Sequence, residues 1–374
     1  MKLNLSLLTV EQFLNDYWQQ KPVIIKGGII DFINPLEADE LAGLAAEANI
    51  ESRLITHRNN QWHAESGPFA NYDQYGDKDW TLVVQSVNHW VPAVQELARL
   101  FDFIPQWRFD DVMVSFAAPG GSVGPHIDNY DVFICQGTGR RHWKVGSKNG
   151  SKTVLAHQKL LHAEAFKPIL DEIATAGDIL YIPPGFPHEG ISLDQSLSFS
   201  VGYKSTNATE LLSGFADYLI DFDHSPALLS DKRREKSRYG QIDHADYERL
   251  KQFLQQAVND DNKLEDFIGL YHSQSFSELD LAQQDDTFAQ WLEKFDRTAL
   301  KKLYALKSLY LERTVNQGIF YCNGERQQLK VSPELIRMLC DNAEISLNDI
   351  RKYYNHEAAL QWLWQSSRRG YWYF

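Results

Sequence analysis

The chain has 374 residues, 43% hydrophobic and 13% aromatic, too long for one ordinary core and pointing to two or three folded domains rather than a disordered or fibrous protein. No run of about 18 or more apolar residues offers a membrane-spanning helix. Met1–Leu14 lacks a signal-peptide pattern, and Cys135, Cys322 and Cys340 are too few and too scattered for a disulfide frame or a cysteine zinc site, so a cytoplasmic protein is expected.

Thr9–Gln19 and Pro35–Ala48 read as helices, the second through Leu41, Leu44 and Ala45 at helical spacing, and Pro22–Lys26 (PVIIK) reads as a strand. From residue 111 to 203 the texture changes to short β-runs separated by Gly and Pro: Asp111–Phe116, Asp131–Gln136, Arg141–Val145, Asp178–Ile182 and Leu197–Tyr203. Strands at such spacing predict a barrel or sandwich. After Lys204 the pattern turns helical. Asn207 and Glu210 form a capping box, and Leu211, Phe215, Tyr218 and Phe222 follow at helical spacing. Beyond the charge run Asp231–Arg238, amphipathic helices are expected near Tyr247–Val258 and Leu264–Tyr271. Three helices with aromatic stripes suit a small bundle or a dimer interface.

In residues 300–374, Asn323–Gly324 between Ile319–Cys322 and Arg326–Leu329 is a hairpin signal. Helical segments are expected around Leu300–Leu311, Pro333–Asp341 and Glu357–Gln365, so this part resembles a winged-helix module. The expected division is 1–208, 209–299 and 300–374. The net charge of −13 is spread unevenly over these parts, at −8, −9 and +4. The acidic body disfavours nucleic acid and suits a basic partner surface, or serves solubility alone.

The chemistry centres on Pro119–Tyr130, PGGSVGPHIDNY. His126 and Asp128 are two residues apart, and in a strand such residues point to one face. An imidazole beside a carboxylate is two-thirds of the 2-His-1-carboxylate triad of non-haem iron(II) oxygenases. The third ligand is expected far downstream on a neighbouring strand, and His188 in IPPGFPHEG fits, where proline and glycine fix a tight turn. His142, His157 and His162 fit less well, on stretches that read as polar or helical.

An oxygenase that uses 2-oxoglutarate also needs a cation for the distal carboxylate. In Arg141–Val145, Trp143 and Val145 mark the buried face, and Arg141 shares it. A buried guanidinium needs a partner; a bidentate carboxylate would serve, as would an internal salt bridge to a protein acid. In Asp111–Phe116, Asp111, Met113 and Ser115 share one face. If it looks inward, Ser115 meets 2-oxoglutarate and Asp111 a cationic substrate; if outward, all three are solvated. Tyr130 shares a face with His126 and Asp128 and is expected beside the metal. Ser198 and Ser200 lie opposite Leu197, Phe199 and Val201 and are placed to line the pocket.

The run Asp111–Tyr203 resembles the JmjC/cupin-4 group of 2-oxoglutarate oxygenases, and the whole chain resembles the bacterial ribosomal oxygenases. The likeness is carried by DDVMVSFAAPGGSVGPHIDNYDVFICQGTGRRHWKVG, GDILYIPPGFPHEG and SGFADYL. It implies an α+β protein: a double-stranded β-helix (JmjC/cupin barrel), a helical dimerisation region and a C-terminal winged helix. It implies hydroxylation at Cβ of an arginine in a large-subunit ribosomal protein, with iron(II), 2-oxoglutarate and O2 as cofactors and succinate and CO2 as coproducts. A homodimer is implied, with no membrane partner and no direct nucleic-acid reading. His126, Asp128 and His188 carry over as iron ligands, Arg141 and Ser115 as 2-oxoglutarate contacts. Asp111, Met113, Tyr130 and Ser200 fall in the substrate pocket. Two other readings stay open: the same chemistry on histidine, asparagine or methyl-lysine, and a non-catalytic metal-binding cupin acting through the winged helix.

Overall fold

The computed structural model describes the chain except for residues 6–7, 60, 149–152, 158–159, 223–226, 233–235, 237, 276–283 and 304–305, with only the backbone described at 153–157 and 160–161. The charge run Asp231–Arg238 and the side chain of His157 thus fall partly or wholly outside the described residues. The chain divides into two compact units, Met1–Ser205 and Thr206–Phe374.

The first unit is built on two antiparallel sheets. The larger has eight strands, in the order Val23–Ile25, Ile179–Ile182, Tyr130–Gln136, Ser196–Lys204, Phe109–Ala117, Trp80–Val84, Ser52–Arg58, Gln61–Ser66. The smaller has four: Pro168–Ala174, Arg141–Gly146, Pro187–Ser192, His126–Ile127. Alternation sorts their side chains, because successive residues of a strand face opposite ways. Val132, Ile134, Leu180 and Ile182 of the large sheet pack with Trp143, Val145 and Ala174 of the small one, making the interior between the sheets. Phe133, Cys135, Tyr181, Val112 and Val114 point out of the opposite face into a larger core. Phe13 of the helix Val10–Asp16 and Phe101 close that core, Phe101 stacking on Phe133 at 4.4 Å.

This register settles the open face of Phe109–Ala117. Val112 and Val114 belong to the outer core, so Asp111, Met113 and Ser115 look to the other side, where Met113 packs against Ile55, Ala64 and Val83. The strands Ser52–Arg58, Gln61–Ser66 and Trp80–Val84, which extend the large sheet, have no counterpart in the sequence reading; Trp80–Val84 shows no alternation because it is buried on both faces.

In the second unit the helices Ala208–Phe222, His244–Val258 and Asp261–Ser273 lie where the periodicity puts them. Asn207 Oδ1 accepts from the Glu210 N–H at 2.9 Å, as a capping box requires. The hairpin Ile319–Cys322/Glu325–Gln328 turns at Asn323 and Gly324, both at positive φ (49° and 74°), which is why the turn needs Asn-Gly. Pro333–Asp341 and Glu357–Arg368 are helical. Leu300–Leu311, expected as a helix, is instead two short strands, Leu300–Lys302 and Ser308–Leu309, in separate small sheets. Leu300 and Leu306 are fully buried, and sheet pairing of this segment overrides its helical propensity.

Candidate metal and cosubstrate site

His126 and His188 sit directly opposite each other on adjacent antiparallel strands, so their rings come together, with centroids 4.2 Å apart. Asp128 lies just past the end of its strand, where parity no longer positions it. The backbone does so instead: the Gly185 N–H donates to the Asp128 carbonyl at 2.8 Å. Gly185 has φ of +85°, a conformation glycine adopts without strain. One ligand atom from each of His126, Asp128 and His188 lies within 4.8 Å of the others. The Nε2 atoms of His126 and His188 are 3.7 and 3.5 Å from Asp128 Oδ2.

The tautomers suit metal binding. His126 Nδ1–H donates to the Gly124 carbonyl at 2.9 Å, and His188 Nδ1–H to the Phe186 carbonyl at 3.0 Å. Both Nε2 lone pairs are thereby turned toward Asp128. Burial, then the neighbouring His126, pulls the His188 imidazole down to about 4, so His188 is neutral near pH 7 and free to donate a lone pair. Two imidazoles and a carboxylate converging on one point are a donor set that fits iron(II).

The second half of the site is Arg141, only 6% exposed. Its guanidinium donates to Ser115 Oγ (3.0 Å), Ser198 Oγ (2.8 Å) and Ser196 Oγ (3.1 Å). No carboxylate pairs with it among the described residues, and its Nε is buried without a partner. The internal salt bridge left open by the sequence is therefore not made. Burial pulls the guanidinium down to about 10, which leaves it cationic at neutral pH. A buried cation held only by hydroxyls fits an incoming carboxylate. Trp143, on the same face, stands between this cluster and His188, 5.9 Å from the guanidinium carbon and 6.3 Å from the imidazole. Ser196 completes the cluster and was missed from sequence, although the alternation of Ser196, Ser198 and Ser200 was its signal.

Tyr130 stands at the rim, 36% exposed, and hydrogen-bonds Asp128. Desolvation, then Asp128, pushes its phenol far up, with Asp111 and Asp110 adding to the effect. Three carboxylates thus surround one phenol, a setting that favours a cationic guest. Asp111 Oδ2 accepts from Ser86 N–H (2.8 Å) and Oγ–H (3.1 Å). Burial first, and Asp110 second, still push it up to about 6. Met113 pairs across from Ser200 on the neighbouring strand, and both are half-buried.

Of the histidines set aside from sequence, His142 lies on the expected strand, Arg141–Gly146, while His157 and His162 also lie on strands, Thr153–His157 and Leu160–Ala163, and not on helical stretches. Their short polar runs carry too little periodicity to show it. His142 faces away from the site and meets Asp171, whereas His162 is buried beside the metal loop.

Residues 96–211 match the JmjC domain family. Over 97% of this chain and 96% of the relative, the sequence is 39% identical to the ribosomal protein uL16 3-hydroxylase of Escherichia coli strain K12. The X-ray structure of E. coli YcfD is similar over the full length of both chains, with a TM-score of 0.93 and 37% identity. A structure of YcfD, a ribosomal oxygenase, in complex with cobalt and 2-oxoglutarate is similar with a TM-score of 0.88 and 36% identity, over 100% of this chain and 99% of that one.

Proposed function

The chain belongs to the JmjC-domain ribosomal oxygenases, and from that premise we propose that it is an iron(II)- and 2-oxoglutarate-dependent hydroxylase of a ribosomal protein, with His126, Asp128 and His188 as metal ligands and Arg141 and Ser115 as the cosubstrate site. One observation carries this reading: a buried guanidinium with three hydroxyl partners and, among the described residues, no carboxylate lies in the same interior as a His-Asp-His cluster.

When bound, iron(II) with 2-oxoglutarate and O2 supplies the oxidising power for C–H hydroxylation, with succinate and CO2 as coproducts. The chain's own residues do the rest. The Gly124 and Phe186 carbonyls fix the two imidazoles, so the ligand atoms are pre-set before a metal arrives. Arg141 takes the distal carboxylate, and Ser115 and Ser198 hold the guanidinium in place for it. Arg141 and His188 are buried in the barrel interior, which excludes water around them.

The substrate side chain is an arginine of a large-subunit ribosomal protein, hydroxylated at Cβ. Its guanidinium would meet Asp111, with Tyr130, Met113 and Ser200 lining the approach. The acidic body complements a basic substrate protein. A cytoplasmic location follows from that substrate. The second unit divides into a helical dimerisation region and a winged-helix module, and the protein works as a homodimer. Leu212, Ile220, Leu250 and Leu254 of the first two helices are exposed, Ile220 to 77%, as an interface between copies would require.

Purified protein supplied with iron(II), ascorbate and 2-oxoglutarate is expected to form succinate, and His126→Ala is expected to form none; equal turnover by the variant removes the metal assignment. Ribosomal proteins from cells lacking the chain should lose a one-oxygen mass increment on one arginine-containing peptide. An unchanged modification profile removes the substrate assignment.

A further inference from the structure

The metal loop has a support that the ligand set does not include. Gly124, at φ of +83°, lies with its carbonyl on His126 Nδ1. Its N–H donates to Ser122 Oγ at 3.0 Å. Against its Cα lies the ring of His162, so close that a Cβ on Gly124 would meet His162 Cε1 at 2.3 Å. His162 Nε2–H donates to the Val123 carbonyl at 3.1 Å. The Ala163 N–H donates to the Pro125 carbonyl at 2.7 Å. His162 is itself wedged from behind: Trp62 meets it edge-on at 4.7 Å and 89°, and His57 stacks on Trp62 at 4.1 Å. Two rings from the edge of the large sheet thus back the His162 ring against Gly124, the residue whose carbonyl orients His126.

We propose that His162 is a positioning residue for the metal centre: by donating to Val123 and packing on Gly124 it aims the Gly124 carbonyl at His126 Nδ1 and so presents His126 Nε2 to the metal. The proposal rests on the reading of His126 as a ligand. A histidine is suited to the task because its ring fills the space over a glycine while its N–H pairs with the half-buried Val123 carbonyl. Hydrogen bonds one layer out from a metal fix ligand orientation, and their loss weakens metal binding about 10- to 100-fold.

The test is manganese(II) affinity of the full chain, read by the loss of the free-ion electron paramagnetic resonance signal. His126→Ala is expected to abolish binding; if it does not, the ligand assignment fails and the role of His162 falls with it. Given that loss, His162→Phe, which keeps a ring but no donor, is expected to weaken Kd about tenfold. His162→Gln, whose amide reaches the Nε2 position, should restore it to within about threefold. Wild-type affinity in His162→Phe overturns the proposal, and so does equal weakening in both variants, which would make His162 a space-filler. Should His162→Phe not fold by circular dichroism, His162→Asn against His162→Gln decides the same point. Asn carries its amide only to the Nδ1 position, and equal affinities of the two overturn the proposal.

Discussion

At the scale of single residues, Arg141 separates a functional from a structural reading most sharply. A guanidinium buried among serines costs stability that a carboxylate partner would recover. Arg141→Met is therefore expected to melt no lower than wild type without 2-oxoglutarate, while its KM for 2-oxoglutarate rises about 10- to 100-fold, the worth of a charge-assisted pair. Parallel thermal melts and succinate assays check both halves; a large loss of melting temperature with unchanged KM would make the residue structural. Asp111 gives a pH signature. Its folded pKa is pushed up to about 6, by burial and then by Asp110, with Glu51 adding, above the usual carboxylate value. The native state thus holds this proton more tightly than the unfolded chain. Stability from this site is full below the unfolded pKa and is lost as pH rises through about 6. Affinity for a cationic substrate runs the other way, because only the ionised carboxylate attracts it. The KM for an arginine-containing substrate peptide should fall as pH rises across about 5 to 7, and Asp111→Asn should remove that dependence. Legibility at this scale was high where side-chain chemistry is distinctive. Parity alone put Arg141 inside the barrel; His126 and Asp128 do come together, but the strand ends at Ile127 and the Gly185 hydrogen bond, not strand parity, holds Asp128 there. The backbone carbonyls of Gly124 and Phe186 left no mark, because every residue carries one.

At the scale of elements, the site depends on two antiparallel neighbours, His126–Ile127 and Pro187–Ser192, held in register so that the two imidazoles face each other. Gly190 keeps that register close to the next strand: a Cβ there would lie 2.7 Å from the Trp143 ring. Gly190→Ala must displace Trp143, which stands between the metal ligands and Arg141. It is expected to cost about 1 to 3 kcal/mol by denaturant unfolding and to raise the KM for 2-oxoglutarate. An unchanged KM would show that Trp143 yields without affecting the cosubstrate site. The strands with Gly and Pro punctuation were legible because turns interrupt a clear alternation. Leu300–Leu311 was not, because short strands of two or three residues carry too little periodicity to stand out against a helical pattern. Strands buried on both faces, such as Trp80–Val84, hide for the complementary reason: they alternate nothing.

At the scale of the molecule, each unit carries its own core. No described helix is long and apolar enough to cross a membrane. The exposed apolar side chains of Ala208–Phe222 and His244–Val258 carry a prediction of their own. If the proposed homodimer forms through them, Ile220→Asp with Leu254→Asp should sediment as a monomer where the wild type sediments as a dimer; equal masses would remove this interface. What the sequence by itself determined is the chemistry: the residue types for metal and carboxylate binding, which of them share a face of one strand, and the β-rich setting that joins them, all set by local alternation and turn residues. Only the tertiary structure decided which groups close the site. It set His188 against His126, surrounded the Arg141 guanidinium with serine hydroxyls, turned Asp111 and Ser115 inward, and put His162 behind Gly124. These are matters of sheet register and of contacts between segments far apart in the chain, and hydrophobic burial chooses among them only when the whole interior is packed.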